Sequence, residues 1–137
     1  MLKHWIIVGM LCGASAIASA AITVYPNRPA TITLSNQDVN RIHCTSGDIN
    51  DAFYSEEKGI ILQNNGADTF VKFDVVVRGE EREYVSTRNE LYITCNNEVY
   101  TLLVNPQPMP AQTVHLISRT KKSLEDNIST LNGIPEE

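Results

Sequence analysis

Apolar and polar residues alternate with a period of two through much of residues 22–117, and the alternation is sharpest in ELYITCNNEVYTLLV, Glu90–Val104. Both flanks of that stretch are rich in β-branched and aromatic residues, and asparagine tolerates the positive φ that a type I′ turn needs, so it reads as a hairpin turning at Asn96-Asn97. A two-residue turn fixes the pairing, placing Thr94 opposite Val99, Ile93 opposite Tyr100 and Leu91 opposite Leu102. Leu91, Ile93 and Cys95 then share an apolar face with Tyr100, Leu102 and Val104, while Tyr92, Thr94, Val99, Thr101 and Leu103 form a mixed face that is only partly covered. A sheet with one apolar face must lay it against a second layer, and no long helical pattern upstream could supply one. Sheet on sheet is the expectation.

The rest of the chain fits that scheme. Ile22–Tyr25 is a short extended run stopped by Pro26 and Pro29, and Ala30–Leu34 follows with Ala30, Ile32 and Leu34 inward. Ser35–Asp38 reads as a turn in which Ser35 caps backbone donors, with Val39 and Ile42 as apolar anchors and Asn40 placed to satisfy loop backbone groups. Thr45–Asp48 is loop, Ala52–Ser55 a short strand, Glu56–Gly59 a charged turn, and Ile60–Leu62 an apolar run closed by a turn at Asn64-Asn65-Gly66. Thr69–Val77 is the longest strand expected, followed by a charged connection, Arg78–Glu83, and a pairing at Tyr84-Val85. Pro106, Pro108 and Pro110 predict a stiff extended connector, and Thr113–Ile117 a last strand. The sum is an all-β fold, an antiparallel β-sandwich of about eight short strands spanning residues 21–118.

The two ends differ in character. Lys3 and His4, the apolar run Trp5–Cys12 and the small-residue site Ala18-Ser19-Ala20 predict a signal peptide over residues 1–20, cut after Ala20. The apolar run is too short for a comfortable membrane anchor, and Leu11 is too large for a lipoprotein cleavage site ahead of Cys12. Residues 119–137 form a polar linker and a short C-terminal amphipathic helix, capped by Ser123 and striped by Leu124, Ile128 and Leu131, leading towards a further domain beyond the sequence.

Export changes the charge and cysteine arithmetic. After loss of residues 1–20 the chain carries 10 basic and 16 acidic side chains, a poor balance for gripping DNA or another polyanion. Cys44 and Cys95 remain, bound for an oxidising compartment, where they would either form a disulfide or sit as two separate buried thiols. Cys95 faces inward on the hairpin and Cys44 shares a face with Ile42, an arrangement open to both.

Catalytic chemistry is not signalled. His43 abuts Cys44, but strand neighbours point to opposite faces and cannot act as nucleophile and base. Zinc-type spacing, a nucleophile elbow, a phosphate loop and a calcium loop are all missing from the sequence, and the Glu56-Glu57 and Glu80-Glu81 pairs sit among basic residues in turns. The expectation is a protein that is not an enzyme and has no cofactor or metal.

Five segments together resemble, in order, one known family. ITLSNQDVNRI (Ile32–Ile42), Gly47-Asp48-Ile49, EVYTLLVNP (Glu98–Pro106) and PAQTVHL (Pro110–Leu116) are similar to the N-terminal half of the TraK family, and SLEDNISTLNGIPEE (Ser123–Glu137) resembles the segment leading into its second half. TraK proteins are secretin-like outer-membrane-complex components of F-type conjugative type IV secretion systems. The resemblance implies a periplasmic sandwich, associated with the outer membrane, that builds a homo-oligomeric ring. Its partners would be a TraV-like outer-membrane lipoprotein and a TraB-like inner-membrane scaffold protein, together forming the DNA and pilus conduit without direct nucleic-acid binding. In that light Asn40 and Arg41 become candidate subunit contacts, against their role in locking the loop. The rival reading is a free-standing periplasmic binding module, adhesin-like or subunit-chaperoning, that captures a peptide by strand addition.

Overall fold

The computed structural model describes Gly13 and residues 21–118. The expected signal peptide and C-terminal helix therefore lie outside the described residues. Eleven strands follow one another: β1 (Ile22–Val24), β2 (Ala30–Ser35), β3 (Asn40–Cys44), β4 (Ile49–Tyr54), β5 (Ile60–Asn65), β6 (Asp68–Phe73), β7 (Val75–Arg78), β8 (Glu81–Tyr84), β9 (Asn89–Cys95), β10 (Glu98–Gln107) and β11 (Thr113–Leu116). A single 3₁₀ turn, Glu56–Lys58, joins β4 to β5.

The expected hairpin forms in the expected register, with Thr94 against Val99 and Leu91 against Leu102, and both Asn96 and Asn97 take positive φ. Its apolar face is wholly buried: Leu91, Ile93, Cys95, Tyr100, Leu102 and Val104 expose nothing to solvent. The Tyr100 hydroxyl donates to the Ile117 carbonyl at 2.8 Å, and burial, reinforced by Glu98, pushes its phenol far above the usual tyrosine range.

Two sheets enclose this core. One has the order β1-β11-β3-β6-β5, the other β2-β10-β9-β4, and β7 and β8 form a separate ribbon. The architecture is sandwich-like and all-β, but the sheets are mixed and not antiparallel: β1 with β11, β11 with β3, and β10 with β2 run parallel. Alternation records which face of a strand is buried and not which way its neighbour runs. Here the chain crosses from one sheet to the other at almost every early connection, and strands that cross over arrive beside distant partners in either direction.

Four local expectations are corrected. Thr69–Val77 is broken at Asp74 into β6 and β7, which belong to different sheets, and the longest strand is the ten-residue β10. Pro106 lies inside β10, buried against β2. The Gln107 carbonyl accepts from Asn36 N on the β2 side, so the ring nitrogen one residue earlier faces the β9 side, where pairing has ended at Val104 with Asn89. No ladder bond is lost there. The β5–β6 turn sits one step later than predicted, at Gly66-Ala67, with only Gly66 at positive φ. Val39 is not an anchor but is 52% exposed.

Gly59 is the backbone pivot between the 3₁₀ turn and β5. Its φ is +80°, and a Cβ there would lie 2.9 Å from Val85 Cγ2. Gly59→Ala is expected to lower stability by about 1–2 kcal/mol, read from a urea midpoint, because left-handed backbone and a forced shift of Val85 add in the same direction.

Candidate functional site

Asn40 opens β3 and is fully buried. Its Oδ1 accepts from Ser35 N at 2.9 Å and from Gln112 N at 3.0 Å, and its Nδ2 donates to Ser35 O at 2.8 Å and Val71 O at 3.2 Å. One side chain thus ties the β2–β3 corner to β6 and to the approach of β11. The Ser35 hydroxyl closes the same corner by accepting from Gln37 N at 3.2 Å and Asp38 N at 2.9 Å. Asn40 has no surface to offer a neighbouring molecule, so of the two candidate contact residues only Arg41 is available for that role.

Arg41 points the other way, onto the outer face of the five-stranded sheet. Its Nε donates to Asp68 Oδ1 at 2.8 Å, and His43 Nδ1 meets the same oxygen at 2.8 Å. The ionised carboxylate only accepts, so its contact puts the proton on His43 Nδ1, and Arg41 Nη2, 3.3 Å from that nitrogen and itself a donor, makes no hydrogen bond to it. His115, on the adjacent strand β11, sets its ring edge-on to His43 with centroids 6.0 Å apart. The Arg41 hydrogen bond is the main cause holding the Asp68 carboxyl below its usual value, aided by His43 and opposed by partial burial.

A folded-state carboxylate with a depressed pKa adds stability that is complete above its ordinary value of 3.8 and is lost as pH falls through the lower folded value. Arg41→Ala is therefore expected to begin acid unfolding at a higher pH than the parent, measured by circular dichroism. At neutral pH it costs about 1 kcal/mol or less, because the pair is part-exposed.

Cys44 and Cys95 are joined as a disulfide, which links β3 of one sheet to β9 of the other. Ser46 sits beside the bridge, its hydroxyl 3.8 Å from the Cys95 sulfur.

The remaining features are surfaces. On the outer face of the four-stranded sheet Phe53 pairs across to Tyr92, which pairs to Thr101, and one rung away Asp51, Thr94 and Val99 line up. Phe53 is 75% exposed and Val99 52%. Asp51 and Glu90 flank the two aromatics along their strands, and the Tyr92 hydroxyl reaches Glu90 at 3.4 Å. The β7–β8 ribbon is an arm whose strands pair only with each other. Val75, Val77, Tyr84 and Arg82 share one of its faces, and Val76, Glu83, Arg78 and Glu81 the other. At its base lies a crevice of about 430 Å³ lined by Lys58, Asp74, Val76, Glu83 and Val85 among others.

The sequence reading missed Phe53 and the arm as surfaces, and it missed Asp68. Three successive valines, Val75–Val77, were the available signal for the arm, since a strand cannot bury all three on one face. Among the described residues no group of three or more histidine, cysteine or acidic side chains is placed to hold a metal, and no helix is long and apolar enough to cross a membrane.

No curated protein matches the chain. Residues 23–125 match the TraK N-terminal domain, covering both sheets, the arm and the disulfide. The chain belongs to the TraK N-terminal domain family, and with it to the proteins of conjugation and type IV secretion.

Proposed function

We propose that this protein is a structural tile of the periplasmic and outer-membrane core ring of an F-type conjugative type IV secretion system. Many copies pack side by side with a TraV-like lipoprotein and a TraB-like inner-membrane scaffold protein to wall the conduit for DNA and pilus. The protein acts without catalysis, cofactor or metal, and its acidic balance suits a wall that does not hold the DNA it surrounds.

One observation carries this reading beyond family membership. A disulfide-locked sandwich exposes two apolar surfaces, the Phe53–Tyr92 row and the valine arm, on different strands of the same chain. Two unlike surfaces on one rigid body are what a repeating head-to-tail contact requires, and such contacts close rings.

The test is purification of the tagged full chain from cells expressing the complete transfer apparatus. A high-mass assembly holding several copies together with the lipoprotein and scaffold is expected; a monomer free of both partners would refute the proposal. In the same cells Arg41→Ala is expected to depress plasmid transfer more than its small stability cost explains if Arg41 lies in a contact, and unchanged transfer would assign it to the Asp68 pair alone.

A further inference from the structure

We infer that the arm of one copy docks on the outer sheet face of the next, laying Val75 and Val77 across Phe53 and Tyr92, with Arg82 set against Asp51 and Glu90. This rests on the ring reading and names the contact that propagates it.

The arm calls for a covering surface. A two-stranded ribbon with no third strand is marginal in water, and it exposes Val76 at 46% and Val77 at 62%. Val76, Glu83 and Tyr84 border the crevice on the body of the same chain, whereas Val75, Val77 and Arg82 do not line it and stand exposed. Phe53 is the most exposed large apolar side chain among the described residues, and it stands in a sheet row with Tyr92. Isolated exposed apolar residues are ordinary; two contiguous apolar surfaces on one small domain are not.

Charge selects the pairing. If two arms met about a two-fold axis, Arg82 would approach Arg82 across apolar surroundings. If two sheet faces met, Asp51 and Glu90 would approach their own copies. The only charge on the Val75–Val77 face of the arm is the Arg82 guanidinium, so it is the unlike combination that sets that face against carboxylates, and like-charge juxtaposition in an interface is strongly penalised. The occupant of the sheet face is therefore the arm of a second copy, and because arm and face are different patches the contact repeats in one direction.

Paired cysteines test this in the full chain within the assembled apparatus. Val77→Cys and Phe53→Cys carried on one chain are expected to give, after mild oxidation, a ladder of covalent multimers. Two chains carrying one substitution each should give dimers and nothing larger. Cys44 and Cys95 are already joined and do not compete. Arg82→Glu alone and Glu90→Arg alone should each lower the assembled fraction about tenfold, and the combined swap should recover most of it. Both positions are exposed, so the urea midpoint of each variant stays at the parent value. A high-mass assembly without the Val77–Phe53 cross-link would overturn this contact and leave the ring standing. Failure to find any assembly would overturn both.

Discussion

Replacing Asn40 by alanine is expected to remove roughly 3–5 kcal/mol of stability, a large part of what a small domain possesses. The estimate rests on what the amide leaves behind. Ser35 N and Gln112 N both lose their acceptor, and Ser35 O and Val71 O lose a donor, in a region where all of these bonds but the part-buried one to Gln112 are buried. Each unsatisfied buried group costs about 1–3 kcal/mol, and the small cavity adds to it. Asn40→Asp separates the two halves of the network, because it keeps the Oδ1 acceptor, deletes the Nδ2 donor and buries a charge; it too should be strongly destabilising. A urea titration of the monomer decides: the midpoint should fall with the slope unchanged. A midpoint within about 1 kcal/mol of the parent, with assembly impaired, would restore Asn40 to the subunit-contact role that its burial argues against.

The same residue shows how far sequence reaches. Asn40 stands out in DVNRI because a polar side chain at an inward position of a strand must be satisfied from within, so its loop-locking role was legible. Arg41, one residue on, inherits the opposite face, yet its carboxylate partner was not legible, since Asp68 is 27 positions away and reaches it only through the β3–β6 pairing. The β9–β10 hairpin was legible to the residue because Asn96-Asn97 sets the register and a one-residue slip would put Tyr92 and Thr94 in the core. Parallel pairings were not, because nothing in the alternation of β2 or β11 records the direction of a partner 72 residues distant.

The arm was hidden for a related reason. Thr69–Val77 has unbroken β propensity, and only Asp74, whose backbone N donates to Gly59 O at 2.8 Å, diverts the chain out of the five-stranded sheet. The acidic and basic residues beyond it read as a solvated turn, although Glu81–Tyr84 is a strand paired along its whole length. Exposed apolar residues such as Phe53 and Val77 look like errors of patterning when a chain is read as a monomer.

Deleting the bridge by Cys44→Ala with Cys95→Ala is expected to cost roughly 4 kcal/mol, since the closed loop spans 51 positions and its loss returns that conformational freedom to the unfolded chain. The loop holds β4 to β9 and contains every strand of the arm, so the unbridged chain is expected to loosen between the sheets, where β3 and β9 are otherwise held by side-chain packing alone. Each single replacement should cost about as much as the double, because one sulfur cannot bridge, and that non-additivity distinguishes a disulfide from two separately packed thiols. Urea midpoints of the two single variants and the double, run without reductant, provide the comparison. Additive losses, or native protein whose Cys44 and Cys95 are both alkylated without prior reduction, would show that the thiols are not joined in solution. The bridge also makes folding depend on an oxidising compartment, so the chain retained in a reducing cytoplasm should match the double variant in stability, apart from the cavity the alanines add, and should gain the difference only after oxidation.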